Sequence, residues 1–216
     1  ATPAGLTTGI MASTTAHQSE FALVDAMIPV VNPAGVAELL EFGLLGFALS
    51  RYSGCWVGLK CVHDTVNTAA SIELDPTRAA VRLPDDIVST GKSYLDLRQA
   101  LADLGIDAEL AARLGLRVLK LGLVWPLERE RMRAFAHGLG QIVVVEEKRA
   151  LIETQLKEQL YHLPDGKRPR ILGKYDESGA WILPSADELS TLMIARAIVT
   201  RLAKLQPVPE LEARLK

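Results

Sequence analysis

Residues 141–146 read Gln-Ile-Val-Val-Val-Glu, and this stretch decides the fold class. Its four central residues are all apolar and β-branched, with no polar residue between them. An unbroken apolar run of this length is typical of a strand in a parallel sheet that is buried on both faces. Helical patterns flank the run, at 128–137 before it and at 149–161 after it. This alternation predicts an α/β fold built on mainly parallel sheets.

The same alternation continues in both directions along the chain. Gly105 is placed to end one helix and Asp107 to cap the next. The run Leu83-Pro84-Asp85-Asp86 has the character of a boundary. We therefore expect two three-layer α/β units, at 1–83 and 84–177, followed by a C-terminal helix and tail at 178–216. The patterns predict a loop at 1–12, a polar turn at 162–168, helices at 20–26, 34–51, 93–104, 107–114 and 184–205, and strands at 27–31, 55–62, 74–83, 87–91, 116–123 and 171–174.

Composition excludes several classes of function. The chain has 216 residues, of which 49% are hydrophobic, so an ordinary folded core is expected. Its net charge of −2 gives no reason to expect nucleic acid or an acidic membrane as a partner. No apolar segment is long enough to span a bilayer, and no secretory signal is recognisable. A cytoplasmic location is therefore the expectation.

The two cysteines, Cys55 and Cys61, do not form a recognisable site. Their spacing matches no zinc motif. In a strand they would lie ~20 Å apart, which is too far for a disulfide. We expect both to be buried as small hydrophobic residues.

The richest polar cluster is Ser13-Thr14-Thr15-Ala16-His17-Gln18-Ser19-Glu20, and an apolar run follows it at once. A polar cluster at the edge of a buried strand is where α/β enzymes present chemistry. Histidine suits proton transfer near neutral pH, so His17 is the candidate catalytic residue. From the residues alone, a structural histidine on a loop explains the pattern equally well.

Three other patterns have simpler structural explanations. Gly91-Lys92-Ser93 resembles a nucleotide triphosphate loop, but Asp86 stands where that motif needs glycine, so a tight strand-to-helix turn fits better. The charged run 146–149 could hold a catalytic carboxylate pair, although such runs are more often solvated or paired across an interface. Four residues flanking the strand at 55–62 could bind a carboxylate substrate, or could simply be solvated: Arg51, Lys60, His63 and Asp64.

Together these segments resemble the indolepyruvate:ferredoxin oxidoreductases, which are thiamine-diphosphate enzymes of the 2-oxoacid:ferredoxin oxidoreductase class. The resemblance extends over about residues 12–205. Besides the polar cluster, it rests on five segments: Ile28–Gly35, Arg51–Val62, Thr90–Asp96, Leu119–Leu127 and Val143–Lys148.

The resemblance implies a role for each unit. The first would be the later half of the domain that binds the cofactor's aminopyrimidine, and the second would be a transketolase C-terminal-like domain that helps to assemble subunits. It also places His17 beside the reacting centre, with Thr15, Gln18 and Glu20 close to substrate or cofactor.

The resemblance implies thiamine diphosphate and Mg²⁺ as cofactors of the complete enzyme, with iron–sulfur clusters that are not carried on this chain. Substrate and partners would be a 2-oxoacid, coenzyme A and ferredoxin, in a homodimer. The enzyme would decarboxylate an aryl-pyruvate oxidatively to an acyl-CoA. The family's activating glutamate, its Gly-Asp-Gly element and a longer insertion between Asp86 and Ile87 have no counterpart here. The departures fit a shortened chain, an internally deleted protein or a sequence that omits internal segments, and in each case we expect this chain to be inactive alone.

Two alternatives remain open. The chain could be a non-catalytic assembly module, in which the transketolase-like unit serves mainly for dimerisation. It could also belong to a different thiamine enzyme, such as a transketolase-like carboligase. The segment Arg51–Val62 argues against the carboligase, but only by resemblance.

Overall fold

The computed structural model describes residues 6–10, as backbone, together with 19–72, 87–186 and 188–215. These residues form two compact units, and each unit has its own four-stranded sheet. The first unit takes its described residues from 1–83, 90–92 and 121–128. The second takes them from 84–89, 93–120 and 129–216.

The sheet of the first unit is mainly parallel. Its strands are β1 (Leu6–Ile10), β2 (Val30–Val31), β3 (Val57–Cys61) and β6 (Leu123–Trp125), in the order β1-β3-β2-β6. Strands β1 and β2 both run parallel to β3, whereas β6 pairs antiparallel with β2 at the edge. Because β1 and β3 are parallel neighbours, their carboxyl ends lie at the same edge of the sheet. The two inner strands, β2 and β3, are buried.

Helix α2 (Val36–Ser53) covers this sheet. Its inward residues Leu39, Phe42 and Leu49 pack against a core of Val31, Val57, Leu59 and Cys61. Gly54 ends the helix in a left-handed conformation with φ 73°, as C-terminal glycines commonly do. The unit also contains two short helices, α1 (Glu20–Asp25) and α3 (His63–Val66).

The sheet of the second unit has the order β5-β4-β7-β8, from β4 (Ile87–Thr90), β5 (Val118–Leu121), β7 (Gln141–Val145) and β8 (Arg170–Leu172). Strand β7 runs parallel to both β4 and β8. Residues 142–145 of β7 are all buried, as the unbroken apolar run predicted. The predicted α/β class with mainly parallel sheets is confirmed.

The helices of this unit are α4 (Gly91–Asp103), α5 (Ala108–Leu114), α6 (Arg129–Ala136), α7 (Ile152–Leu160), α8 (Thr191–Ala203) and α9 (Pro209–Arg214). The Asp107 carboxylate accepts the Leu110 N–H at 2.8 Å, so the predicted cap is present. Residues of α8 and α9 share one core with α4 and β7. That core includes Leu97, Leu104, Val143, Val145, Ile194, Ile198, Leu202 and Leu211.

Two expectations about strands are wrong. Residues 6–10, expected in a loop, form β1, because pairing with β3 stabilises a short segment whose own pattern is weak. The single strand expected at 116–123 is two strands in different sheets, divided at Gly122. A Cβ at residue 122 would lie 2.7 Å from the ring of Phe42, so only glycine fits this close approach.

Two further expectations need correction. The last long helix begins at Thr191 rather than 184, because the Ser190 hydroxyl caps it by accepting the Met193 N–H at 3.2 Å. A second helix, α9, begins at Pro209 and lies beyond the predicted end. Cys61 is buried as expected, but Cys55 is exposed. The predicted strand at 74–83 and the boundary at 83–86 lie outside the described residues.

Candidate functional site

The best candidate for a site is the carboxyl edge of the first sheet. Strand β1 ends at Ile10, directly opposite Cys61, which is the last residue of β3. The chain leaves the sheet at Ile10 and returns at Ser19, immediately before α1. The carboxyl end of a parallel strand is where open α/β sheets bind their ligands, and Ser19 and Glu20 are the residues of the polar cluster that the structure describes.

Glu20 anchors the return of the chain to this edge. Its Oε1 accepts a hydrogen bond from Lys60 Nζ at 2.6 Å, and Lys60 is the next-to-last residue of β3. The ion pair is buried, with 8% of the Glu20 side chain and 15% of the Lys60 side chain exposed. Glu20 Oε2 is buried and has no hydrogen-bond partner in the part of the chain that the structure describes.

The ion pair gives Lys60 and Glu20, both candidate site residues from the sequence, a contact with each other inside the protein. Lys60 was a candidate for binding a substrate carboxylate, but it is committed to Glu20 within the protein. Glu20 was expected close to substrate or cofactor, and it lies at the carboxyl edge. Thr15, His17 and Gln18 lie outside the described residues, so their roles stay predictions.

The turn at Gly91 is a tight strand-to-helix connection, as the sequence predicted. Gly91 has φ 53°, a conformation that favours glycine. A Cβ at this position would lie 2.6–2.9 Å from side-chain atoms of Asn32, which is itself buried. Ser93 is buried in the first turn of α4. Close packing therefore explains the glycine, without a bound phosphate.

A second group of buried charges lies at the carboxyl end of β7. The Glu146 carboxylate accepts the backbone N–H groups of Leu151, Ile152 and Glu153 at 3.1, 2.8 and 3.0 Å. These donors open α7, so Glu146, the residue after β7, caps that helix. Burial raises the pKa of Glu146 to about 7, although these hydrogen bonds and the nearby Lys174 oppose the rise.

Glu153 and Lys174 complete this group. Glu153 Oε2 accepts the Lys174 backbone N–H at 3.0 Å, and Glu153 Oε1 pairs with Lys157 at 2.6 Å. Lys174 Nζ donates to the backbone carbonyls of Glu146 and of Pro184. Burial lowers the pKa of Lys174, and the neighbouring carboxylates raise it in part. Glu146 and Lys174 both bond to the first turn of α7 or its neighbours, so the group ties the chain after β7 and the chain after β8 to the start of this helix.

This group corrects the expectation for Glu146, the first residue of the run 146–149. Glu146 is 4% exposed and bonded within the chain, so it is neither solvated nor placed at an exposed interface. Sequence reasoning missed Glu153 and Lys174, because an isolated charge in a helix and another after a strand carry no pattern. Their only signal is Gly173, where a Cβ would collide with the Glu153 carboxylate.

The described residues do not provide a metal site. They contain no group of three or more histidine, cysteine, aspartate or glutamate side chains placed to hold an ion. No helix within the same residues is long and apolar enough to cross a membrane.

Comparison with solved structures defines the class of fold. The chain is similar to a protein described as split gene transketolase, inactive beta4 tetramer, with a TM-score of 0.50 and 17% identity. The match covers 82% of this chain and 57% of that one. The chain therefore has a transketolase-like α/β fold.

Comparison with protein families is more specific. The model of the indolepyruvate oxidoreductase domain matches residues 78–216. The chain belongs to the indolepyruvate oxidoreductase family.

Curated relatives agree with this assignment. The chain is 30% identical over 122 residues to indolepyruvate oxidoreductase subunit IorA of Pyrococcus abyssi. It is 35% identical over 71 residues to the subunit of the same name from Pyrococcus horikoshii. These matches cover 56% and 33% of this chain but only 16% and 10% of the relatives. The chain thus spans a small part of the length of the relatives that it matches.

Proposed function

We propose that this chain is part of a thiamine-diphosphate-dependent 2-oxoacid:ferredoxin oxidoreductase that acts on indolepyruvate-like acids. The complete enzyme would decarboxylate the acid oxidatively, pass electrons to ferredoxin through iron–sulfur clusters and deliver the acyl group to coenzyme A. Membership of the indolepyruvate oxidoreductase family is the observation that carries this proposal. The homodimeric assembly and the cytoplasmic location belong to the same proposal.

The family's Gly-Asp-Gly element, which holds the diphosphate through magnesium, does not occur in this sequence. We therefore assign the diphosphate anchor to another part of the complete enzyme. This chain would supply a wall of the active site. Two observations support this part of the proposal: the carboxyl ends of β1 and β3 lie together, and Glu20 of the polar cluster is paired with Lys60 of β3.

In this proposal His17 moves a proton beside the reacting carbon, and Thr15, Gln18 and Glu20 surround it. The test is the rate at which the complete enzyme oxidises indolepyruvate, measured through the reduction of a viologen dye. His17→Gln should lower kcat by about 10²–10⁴-fold, the usual contribution of a general acid or base. The exposed His162 is the matched control, and His162→Gln should leave kcat unchanged. A His17→Gln enzyme with the wild-type kcat would exclude the assigned role.

The isolated chain gives an independent check. It should show no turnover of 2-oxoacids in the presence of thiamine diphosphate, Mg²⁺, coenzyme A and dye. Turnover by the chain alone would contradict the assignment of the diphosphate anchor to another part of the enzyme.

A second candidate function is a non-catalytic assembly module. One observation favours it: the similar solved structure is described as an inactive tetramer. Sedimentation of the chain with and without thiamine diphosphate and Mg²⁺ separates the two. An oligomer that neither addition changes favours the module, whereas an assembly that depends on the cofactor favours the catalytic role.

A further inference from the structure

The chain between α7 and β8 forms a positively charged surface on the second unit. Residues 161–170 carry three cations and one carboxylate, in a chain whose net charge is −2. The cations are Lys167, Arg168 and Arg170, and all three are exposed. Tyr161, at the start of the segment, has 66% of its surface exposed. We call these four residues the basic edge.

Sheet topology places the basic edge at the amino ends of the strands. Strands β7 and β8 are parallel neighbours in which Gln141 is paired with Arg170, and the Arg170 N–H donates to the Gly140 carbonyl at 3.0 Å. Residues that lead into β8 therefore lie at the amino edge of the second sheet. The buried Glu146 and Lys174 follow the carboxyl ends of the same two strands, at the opposite edge.

Contacts within the segment hold the basic edge in one conformation. Arg168 Nη1 donates to the Tyr161 carbonyl at 2.9 Å, and Arg168 Nη2 pairs with Asp165 at 2.7 Å. The Arg168 guanidinium also lies over the Tyr161 ring, with its carbon 5.6 Å from the ring centre. A surface that is ordered before binding loses less conformational entropy when a partner binds.

Carboxylates close to the basic edge in the sequence leave its positive charge in excess. Asp165 offsets one of the three cations. Extending the segment into the last turn of α7 does not change the excess, because Lys157 and Glu158 carry opposite charges. The next carboxylates along the chain, Asp176 and Glu177, are paired with cations at the carboxyl end of α8. The basic edge therefore attracts an acidic partner.

We propose that the basic edge docks the acidic surface of the ferredoxin that accepts electrons from the complete enzyme. The inference rests on the proposed function, which supplies the ferredoxin, and it adds the surface that this partner contacts. The iron–sulfur clusters that deliver the electrons belong to other parts of the complete enzyme, so the basic edge attracts and holds the partner and takes no part in the chemistry.

The composition of the basic edge favours a transient protein partner. The centre of a permanent interface is apolar and poor in charged residues, whereas electron-transfer contacts are small and are steered by opposite charges. Tyrosine and arginine, the two residue types that fix the basic edge, are also common among the residues that dominate protein binding. The net charge of −2 gives no support to nucleic acid or an anionic membrane as the partner.

Steady-state kinetics of the complete enzyme with two electron acceptors test the docking surface. A small viologen dye needs no docking surface, whereas a purified ferredoxin with an acidic surface does. The double variant Lys167→Glu, Arg170→Glu should raise the KM for ferredoxin about 10-fold at low ionic strength, because it reverses the steering charge and leaves Arg168 to hold the turn. The kcat with ferredoxin should change little. About 0.5 M NaCl should reduce the difference in KM, since salt screens exposed charges.

The matched control is Arg113→Glu, Arg196→Glu, which makes the same charge change at exposed positions of α5 and α8 and should keep the wild-type KM. An unchanged KM in the Lys167, Arg170 variant, or an equal rise in the control, overturns the inference.

Other results identify a different occupant and overturn the inference as well. A viologen rate that falls together with the ferredoxin rate makes the basic edge a contact within the complete enzyme. An unchanged KM with loss of binding to vesicles of anionic phospholipid makes the partner a membrane. All of these results leave indolepyruvate oxidation by the wild-type enzyme in place. A wild-type enzyme that reduces neither acceptor refutes the proposed function, and ferredoxin docking with it.

Discussion

Removing one partner of a buried ion pair should lower the free energy of unfolding more than removing both charges. The pair Glu20–Lys60 allows this to be tested. Their side chains are 8% and 15% exposed, and one oxygen of the carboxylate already has no described partner. Lys60→Met would leave this carboxylate with no counter-ion among the described residues. Breaking a buried ion pair in this way costs about 3–5 kcal/mol of unfolding free energy.

The double variant Glu20→Leu, Lys60→Met removes the penalty for an unpaired buried charge, because neither charge remains. Replacing a buried ion pair by apolar residues of similar volume is often neutral or stabilising. We therefore expect the double variant to be within about 1 kcal/mol of the wild type. The interaction energy between the two sites should then be about 3 kcal/mol or more.

Urea unfolding followed by circular dichroism measures each step of this cycle. The pair Arg168–Asp165 is the matched control, since its charged atoms are 2.7 Å apart but the side chains are 36% and 95% exposed. Its cycle should give less than about 1 kcal/mol. A loss of less than about 1 kcal/mol for Lys60→Met, or losses of Glu20→Leu and Lys60→Met that simply add in the double variant, would contradict a strong coupling between the two charges.

Two further predictions concern the turn at Gly91 and the buried cap at Glu146. Gly91→Ala should destabilise the protein by about 2 kcal/mol or more, because φ is 53° and the new Cβ meets Asn32. Gly115→Ala should cost only about 1 kcal/mol, because its φ is 67° but no atom lies near the new Cβ. Equal losses of stability on thermal unfolding would contradict the collision with Asn32. Because the pKa of Glu146 is about 7 when folded and near 4.5 when unfolded, its contribution of about 3 kcal/mol is complete below pH 4.5 and is lost as the pH rises through 7. In urea titrations, Glu146→Gln should remove this loss of stability between pH 5 and pH 8, whereas Glu158→Gln, at an exposed position, should retain it. The same pH dependence in both variants would exclude Glu146 as the titrating group.

Local signals were sufficient for much of the fold. The run Ile142–Val145 identified the central strand of the second sheet because burial on both faces selects apolar residues at every position. Asp107 identified the start of α5 because a side-chain oxygen can accept a free N–H of the first turn. Both patterns act within a few residues, so the sequence contains them directly.

The errors have a common physical origin in contacts between distant residues. Strand β1 depends on its pairing with β3, about fifty residues away, and its own sequence has little strand character. Gly122, where the expected single strand divides, packs closely against the ring of Phe42, which is distant in the sequence. Lys60 was considered for substrate binding because its partner, Glu20, is forty residues away in the sequence. No reading of neighbouring residues reveals such pairs.

Strand β6 has a consequence for how this protein can be divided. The segment 121–128 lies late in the sequence but belongs to the first unit, where β6 covers the edge of β2. A gene cut at residue 83 would therefore deliver a polypeptide whose β2 lacks its neighbour and leaves Val30 and Val31 without their partners on β6. Exchange of whole units between related genes must carry this short later segment along, or provide another strand to replace it.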